Sequence, residues 1–125
     1  MKTKDDLESY MLRMGLGHEA VGEGLWKLSD DGFSNLMVSL TGPVVVFRLK
    51  VMDLPTGRRE ELFEALLRLN ATEMLHGAFG LEGTAIIIGA ALPIENLDFN
   101  EFQSVVDDIG MAVGKHHSLL SKFRS

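Results

Sequence analysis

A chain of 125 residues with 46% hydrophobic and 24% charged residues is long enough to bury a core, and one domain spanning residues 1–125 is the most economical organisation. The net charge is −6 and no basic run exceeds Arg58-Arg59, which argues against a nucleic-acid partner. The absence of cysteine excludes disulfides, thiol catalysis and zinc–thiolate sites. A charged N-terminus and the lack of a long apolar stretch predict a cytoplasmic protein with no membrane partner.

The first predicted element is an amphipathic helix over residues 4–14. Thr3 is a suitable N-cap, and Asp6 stands at the third helical position, where a carboxylate favours the free amides. Glycines at 15 and 17 end the helix. Its apolar residues recur at helical spacing: Leu7, Tyr10, Met11 and Met14.

The period then changes to that of strands. Apolar and polar residues alternate over residues 36–40 and 45–51, and the segments "DDG" and "TGP" are typical turns. With a first strand near residues 24–28, the pattern predicts a three-stranded meander.

A second helix is predicted over residues 57–69, with a broad apolar face that includes Leu62 and Leu66. Arg58 and Arg59 lie in its first turn, the unfavourable end for the helix dipole. They are interpreted as a solvated pair, with contact to a partner's carboxylates as the alternative.

A hairpin is predicted next, with strands near residues 75–81 and 84–92 joined across Glu82-Gly83. The second strand is apolar on both faces, which indicates a cover on both sides. Because the chain has only about three helices, we expect a second subunit to supply one cover. The expected homodimer surface lies on the second helix and last strand, with these candidates: Leu62, Leu66, Ile86 and Ile88.

The last predicted helix begins after Asp98, which resembles the cap of a capping box with Glu101, while Leu97 and Phe102 stand at the positions of a hydrophobic staple. An apolar stripe follows at spacings of 4 and 3 as far as Phe123. The summed order α-β-β-β-α-β-β-α predicts an α+β domain with one antiparallel sheet packed by helices.

Residues of catalytic use are scattered, so the sequence predicts no enzyme, no cofactor and no metal. Adjacent residues such as His116-His117 diverge by about 100° on a helix, and His116 is interpreted as a packed or interface histidine. His18 and His76 are isolated. Methionines suit adaptable apolar surfaces as well as cores. The candidates for a partner-binding groove are Met11, Met14, Trp26 and Met37.

The second half of the chain, residues 58–120, resembles the type III secretion chaperone-like superfamily, which includes the Tir chaperone (CesT) family and the YbjN-like regulators. The shared pattern is a helix with Leu66, Leu67 and Asn70, an apolar hairpin, a Leu92-Pro93 element and a long final helix. Asn70 is expected to cap or turn the helix end.

The resemblance implies a non-enzymatic homodimeric module that presents apolar surfaces to a protein partner, either an unfolded effector segment or another regulatory protein. The alternative is a small-molecule-sensing or structural regulatory domain of the same fold.

Overall fold

Three helices pack on one face of a six-stranded antiparallel sheet in the computed structural model, which describes residues 2–124. The α+β class with one antiparallel sheet is therefore confirmed. The strand order across the sheet is β1-β2-β3-β4-β6-β5. The elements are α1 (Lys4–Met14), β1 (Gly17–Gly22), β2 (Leu25–Asp30), β3 (Phe33–Thr41), β4 (Val44–Asp53), α2 (Arg59–Thr72), β5 (Ala78–Glu82), β6 (Ala85–Pro93), a 3₁₀ turn (Ile94–Asn96) and α3 (Phe99–Ser121).

Helix α1 has the predicted boundaries because both of its ends are capped. The Thr3 hydroxyl accepts from the Asp5 amide, and the Asp6 carboxylate accepts from the Thr3 amide at 2.7 Å, which completes a capping box. Gly15 ends the helix with φ +71°, a left-handed conformation that favours glycine.

Helix α3 begins as predicted, at the Asp98 carboxylate, which accepts from the Glu101 amide at 2.8 Å. Leu97 and Phe102 are both buried, as expected for a hydrophobic staple. Tyr10 of α1 donates to the Leu97 carbonyl at 3.0 Å, and its ring packs on Phe99 and Phe102. These contacts fix α1 against the start of α3.

The core lies between the three helices and the inner face of the sheet. Alternate residues of the central strands point into it, so that Val38 of β3, Phe47 of β4 and Ile88 of β6 are fully buried. They share this core with Leu7 of α1 and Ile109 of α3. The two-residue period of the central strands thus places one of their faces under the helices.

Helix α2 lies antiparallel beside the C-terminal half of α3. At its start, the Arg58 guanidinium lies 4.7 Å from the centre of the Phe123 ring and donates to the Lys122 carbonyl at 3.4 Å. Beyond its end, Glu73 pairs with Lys115 at 2.9 Å. Arg59 donates to the Pro55 carbonyl at 2.6 Å. Both arginines of the first turn therefore have contacts within the chain.

The main differences from the prediction are one missed strand and two displaced boundaries. The four-stranded first half contains β1, which the sequence pattern missed because its side chains are almost all exposed and show no apolar alternation. Helix α2 continues to Thr72, beyond the predicted end at residue 69. The hairpin turn is Gly83-Thr84, one residue later than predicted, since Glu82 pairs with Ala85 and Gly83 has φ +60°.

Candidate protein-binding surfaces

The four residues predicted to form the dimer surface lie inside the chain's own core. Leu62, Ile86 and Ile88 are fully buried and Leu66 is 6% exposed. They pack between α2, the sheet and α3, so that their side chains have almost no area to offer a second subunit. Any surface on these elements must be formed by their neighbours.

The four predicted partner-binding residues are divided between the core and the surface. Met11 and Trp26 are buried, because the apolar stripe of α1 and the inner face of β2 both point at the core. Met14 is half-buried at the edge of the core. Met37 is half-buried on the opposite, outer face of the sheet. The structure does not bring these residues together in one groove.

An exposed apolar surface lies along α2 and continues onto β5. Leu67 is 68% exposed and Leu81 is 55% exposed, and between them a shallow groove of about 170 Å³ is lined by Phe63, Phe79 and Gly80. We call Phe63, Leu67 and Leu81 the α2–β5 patch. The helical period placed Phe63 and Leu67 on the apolar face of α2, but that face is wider than the part that the core covers.

The outer face of the sheet has an apolar centre that no helix of residues 2–124 covers. Leu25, Met37, Val46 and Ile87 are half-buried there, and none of them belongs to the core that the helices cover. Val46 is paired with Ala91, a small exposed residue. β6 was predicted to be covered on both faces, and within the described residues the helices cover only its inner face, so that a cover by a second subunit stays a prediction.

Asn70 joins α2 to the free edge of the sheet. Its side-chain nitrogen donates to the Phe79 carbonyl at 3.1 Å, and its side-chain oxygen accepts from the Phe79 amide at 2.7 Å. The predicted role of Asn70 as a helix cap is wrong, because α2 continues for two residues beyond it. The amide instead pairs with β5 as a neighbouring strand would.

Three of the histidines contact different parts of the fold. His76 contacts the Asp108 carboxylate and lies 3.8 Å from that of Glu101, which fixes the segment before β5 to α3. His18 contacts the Leu16 carbonyl at 3.2 Å. His116 is buried, as predicted, and packs edge-on against Phe79. Over residues 2–124, no three potential ligands are grouped in a way that could hold a metal ion.

Within the described residues, none of the helices has the length and apolar character needed to span a membrane.

Solved structures with the same fold include proteins of type III secretion. A chain of the heterodimeric ExoU–SpcU complex from the type III secretion system of Pseudomonas aeruginosa matches with a TM-score of 0.72 and 12% identity, over 87% of this chain and 93% of that one. The Yersinia pestis secretion chaperone SycH, solved with a fragment of YscM2, matches with a TM-score of 0.65 and 17% identity, over 89% and 96%.

YbjN from E. coli matches with a TM-score of 0.68 and 13% identity, over 95% of this chain and 94% of that one. No curated protein matches the chain in sequence. At these identities the structural matches establish a shared fold. The model of the CesT_Tir_1 family matches residues 1–125, and the chain therefore belongs to the CesT_Tir_1 family.

Proposed function

We propose that this protein is a non-enzymatic, homodimeric chaperone-like module that binds a segment of another protein on an apolar surface. The observation that carries the proposal is the exposure of large apolar side chains on regular elements, in the α2–β5 patch and on the outer face of the sheet. Family membership supports it, as do solved complexes in which proteins of this fold are bound to effectors or to a fragment of YscM2.

The α2–β5 patch suits a second copy of the chain. Along the exposed stripe of α2, Leu67 is preceded by Glu64 and followed by Arg68, which form an ion pair at 3.4 Å within one chain. Two α2 helices that lie antiparallel across a twofold axis would place Arg68 opposite Glu64 of the second copy and bring the Leu67 side chains together. A twofold interface requires this self-complementarity.

The outer face of the sheet suits the partner segment. Its apolar residues Met37 and Val46 lie beside Arg48 and Lys50, whose charges are paired with Glu82 and Asp53 at 2.7 Å. A flat apolar strip bordered by satisfied charges accommodates an extended or helical segment without requiring a particular charge on it.

The first experiment is the solution mass, measured by size-exclusion chromatography with light scattering. A homodimer gives twice the chain mass of 13.8 kDa. Leu67→Glu places a charge at the centre of the proposed interface, and we expect it to give a monomer that keeps its circular dichroism spectrum. Leu12→Glu on α1 is the matched control, because Leu12 has the same 68% exposure, and it should remain a dimer.

A monomeric parent protein would contradict the homodimer. If the parent protein is a dimer that Ile87→Asp disrupts and Leu67→Glu leaves intact, the second subunit lies on the outer face of the sheet instead. Capture of a partner segment is tested separately, with Met37→Glu expected to abolish binding while leaving the dimer mass unchanged.

A further inference from the structure

A cavity of about 310 Å³ lies where the end of α2, the segment before β5 and the middle of α3 meet. It is distinct from the α2–β5 patch and from the outer face of the sheet. Its walls are apolar, formed by Met74, Leu75, Met111 and Ala112, and His116 also lines it. At the rim, the Lys115 ammonium pairs with the Glu73 carboxylate at 2.9 Å.

His116 is the polar group of this cavity that has no partner. Only 7% of the residue is exposed, and neither ring nitrogen has a hydrogen-bond partner among residues 2–124. In residues 2–124, the buried side-chain nitrogen and oxygen atoms that solvent cannot reach all have hydrogen-bond partners. Since the ring nitrogens of His116 have none, they must be accessible to solvent. A largely buried imidazole that lines a cavity and has no hydrogen-bond partner within the described residues can hydrogen-bond to a ligand bound there.

The charges around the cavity favour a neutral ligand. Lys115 is neutralised by Glu73, and this hydrogen bond lowers the pKa of the Glu73 carboxyl below its ordinary value. The Asp108 carboxylate also lines the cavity and is held by His76. An anionic group would meet two carboxylates there, and a cation would find both of them already paired.

We propose that this cavity binds a tyrosine side chain of the partner protein. The phenol ring is apolar and fits between the methionine side chains. Its hydroxyl can donate to an imidazole nitrogen or accept from an imidazole N–H, so it matches His116 in either neutral tautomer. An indole is a donor only and a phenylalanine has no such group, which makes tyrosine the residue of best fit.

The surroundings of the cavity indicate that the tyrosine belongs to a polypeptide. Leu75 is 82% exposed and Met111 is 65% exposed, and both line the cavity, so that a single ring would leave part of their apolar area uncovered. Apolar residues that flank the tyrosine would cover this area. The inference rests on the proposed protein-binding function and goes beyond it, because this cavity lies on the helix side of the sheet and not on the outer face to which that proposal assigns the partner segment.

The test is an NMR titration of the 125-residue protein with three probes: acetyl-Leu-Tyr-Leu-amide, acetyl-Leu-Phe-Leu-amide and acetyl-tyrosine-amide. We expect the tyrosine tripeptide to shift the methyl signals of Met74 and Met111, with that of Met37 on the outer face unchanged. One neutral hydrogen bond predicts that it binds about 2- to 10-fold more tightly than the phenylalanine tripeptide.

Two variants separate the hydrogen bond from the apolar contact. His116→Phe keeps an aromatic ring against Phe79 and should remove the preference for tyrosine. Leu75→Ala should weaken the tripeptide about 3- to 10-fold, because it removes apolar area at the mouth. Leu12→Ala is its control, a truncation of an exposed leucine on α1, and should leave the affinity unchanged.

The inference is overturned if the tyrosine tripeptide leaves the Met74 and Met111 methyls in place, or if both tripeptides bind the parent protein equally. Equal binding of acetyl-tyrosine-amide and the tripeptide would identify a site for a free phenol and overturn the assignment to a partner protein. If the protein is dimeric but does not bind the tripeptide, only the proposed tyrosine site is wrong. If it binds the tripeptide but is monomeric, only the proposed homodimer is wrong.

Discussion

The bond between Asn70 and the edge of the sheet gives a quantitative prediction for Asn70→Ala. The substitution leaves the amide and the carbonyl of Phe79 without the side-chain partners that now lie at 2.7 and 3.1 Å. Two half-buried hydrogen bonds at about 0.5 to 1.5 kcal/mol each give a loss of about 1 to 3 kcal/mol. The better helix propensity of alanine offsets about 0.5 kcal/mol of this loss.

The assay is urea denaturation at one fixed protein concentration, since any association of chains adds to the apparent stability. Asn100→Ala, at an exposed position of α3, is the control. It should change the free energy of unfolding only by the difference in helix propensity between asparagine and alanine. Hydrogen exchange at the Phe79 amide gives a local readout, and its protection should fall in Asn70→Ala. Equal stability of the two variants with unchanged Phe79 protection would refute this role of Asn70.

Two further predictions concern Gly77, which precedes β5, and Asp107 on α3. Gly77→Ala should destabilise the chain by about 1 to 3 kcal/mol or more, because Gly77 has φ +90° and a Cβ there would lie 2.9 Å from a main-chain oxygen of β6. Gly57→Ala, where the added Cβ would meet nothing within 4 Å, should be nearly neutral, and urea denaturation measures both variants. Partial burial, Asp108 and Asp30 together raise the pKa of the Asp107 carboxyl, so that its ionised form disfavours folding. Asp107→Asn should therefore raise the melting temperature at neutral pH, and the gain should vanish as the pH falls below the ordinary carboxyl value of 3.8.

The elements that the sequence predicted best are those with local signals. Thr3, Gly15 and Asp98 act through groups within a few residues of themselves, and for that reason α1 and the start of α3 were predicted correctly. Strand β1 has no such signal. Its side chains are exposed, and it is a strand because its backbone pairs with that of β2, a contact between segments that the local pattern does not contain.

The candidate surface was harder to predict because a periodic pattern does not separate core from interface. Leu66 and Leu67 are adjacent and both apolar, yet Leu66 is 6% exposed and Leu67 is 68% exposed. The difference depends on how far α2 is rotated about its axis against α3, and tertiary contacts such as that of Arg58 with Phe123 set this rotation. The same limit applies to His116, whose place on the apolar stripe was evident but whose cavity was not.

The segment from Leu66 to Asn70 connects the core, the α2–β5 patch and the free edge of the sheet. Leu66 fixes α2 to the core, Leu67 is exposed on the adjacent side of the helix, and Asn70 occupies the free edge of β5. Since Asn70 satisfies the outward-facing groups of Phe79, an added strand cannot pair there without displacing it. The segment thus holds the α2–β5 patch rigidly in place and protects the adjacent edge. Rigid apolar side chains next to a protected edge favour association through side chains over strand addition. On this reasoning Asn70→Ala should not only destabilise the fold but also promote concentration-dependent association through β5, and light scattering on a Leu67→Glu background would detect this association separately from the proposed dimer.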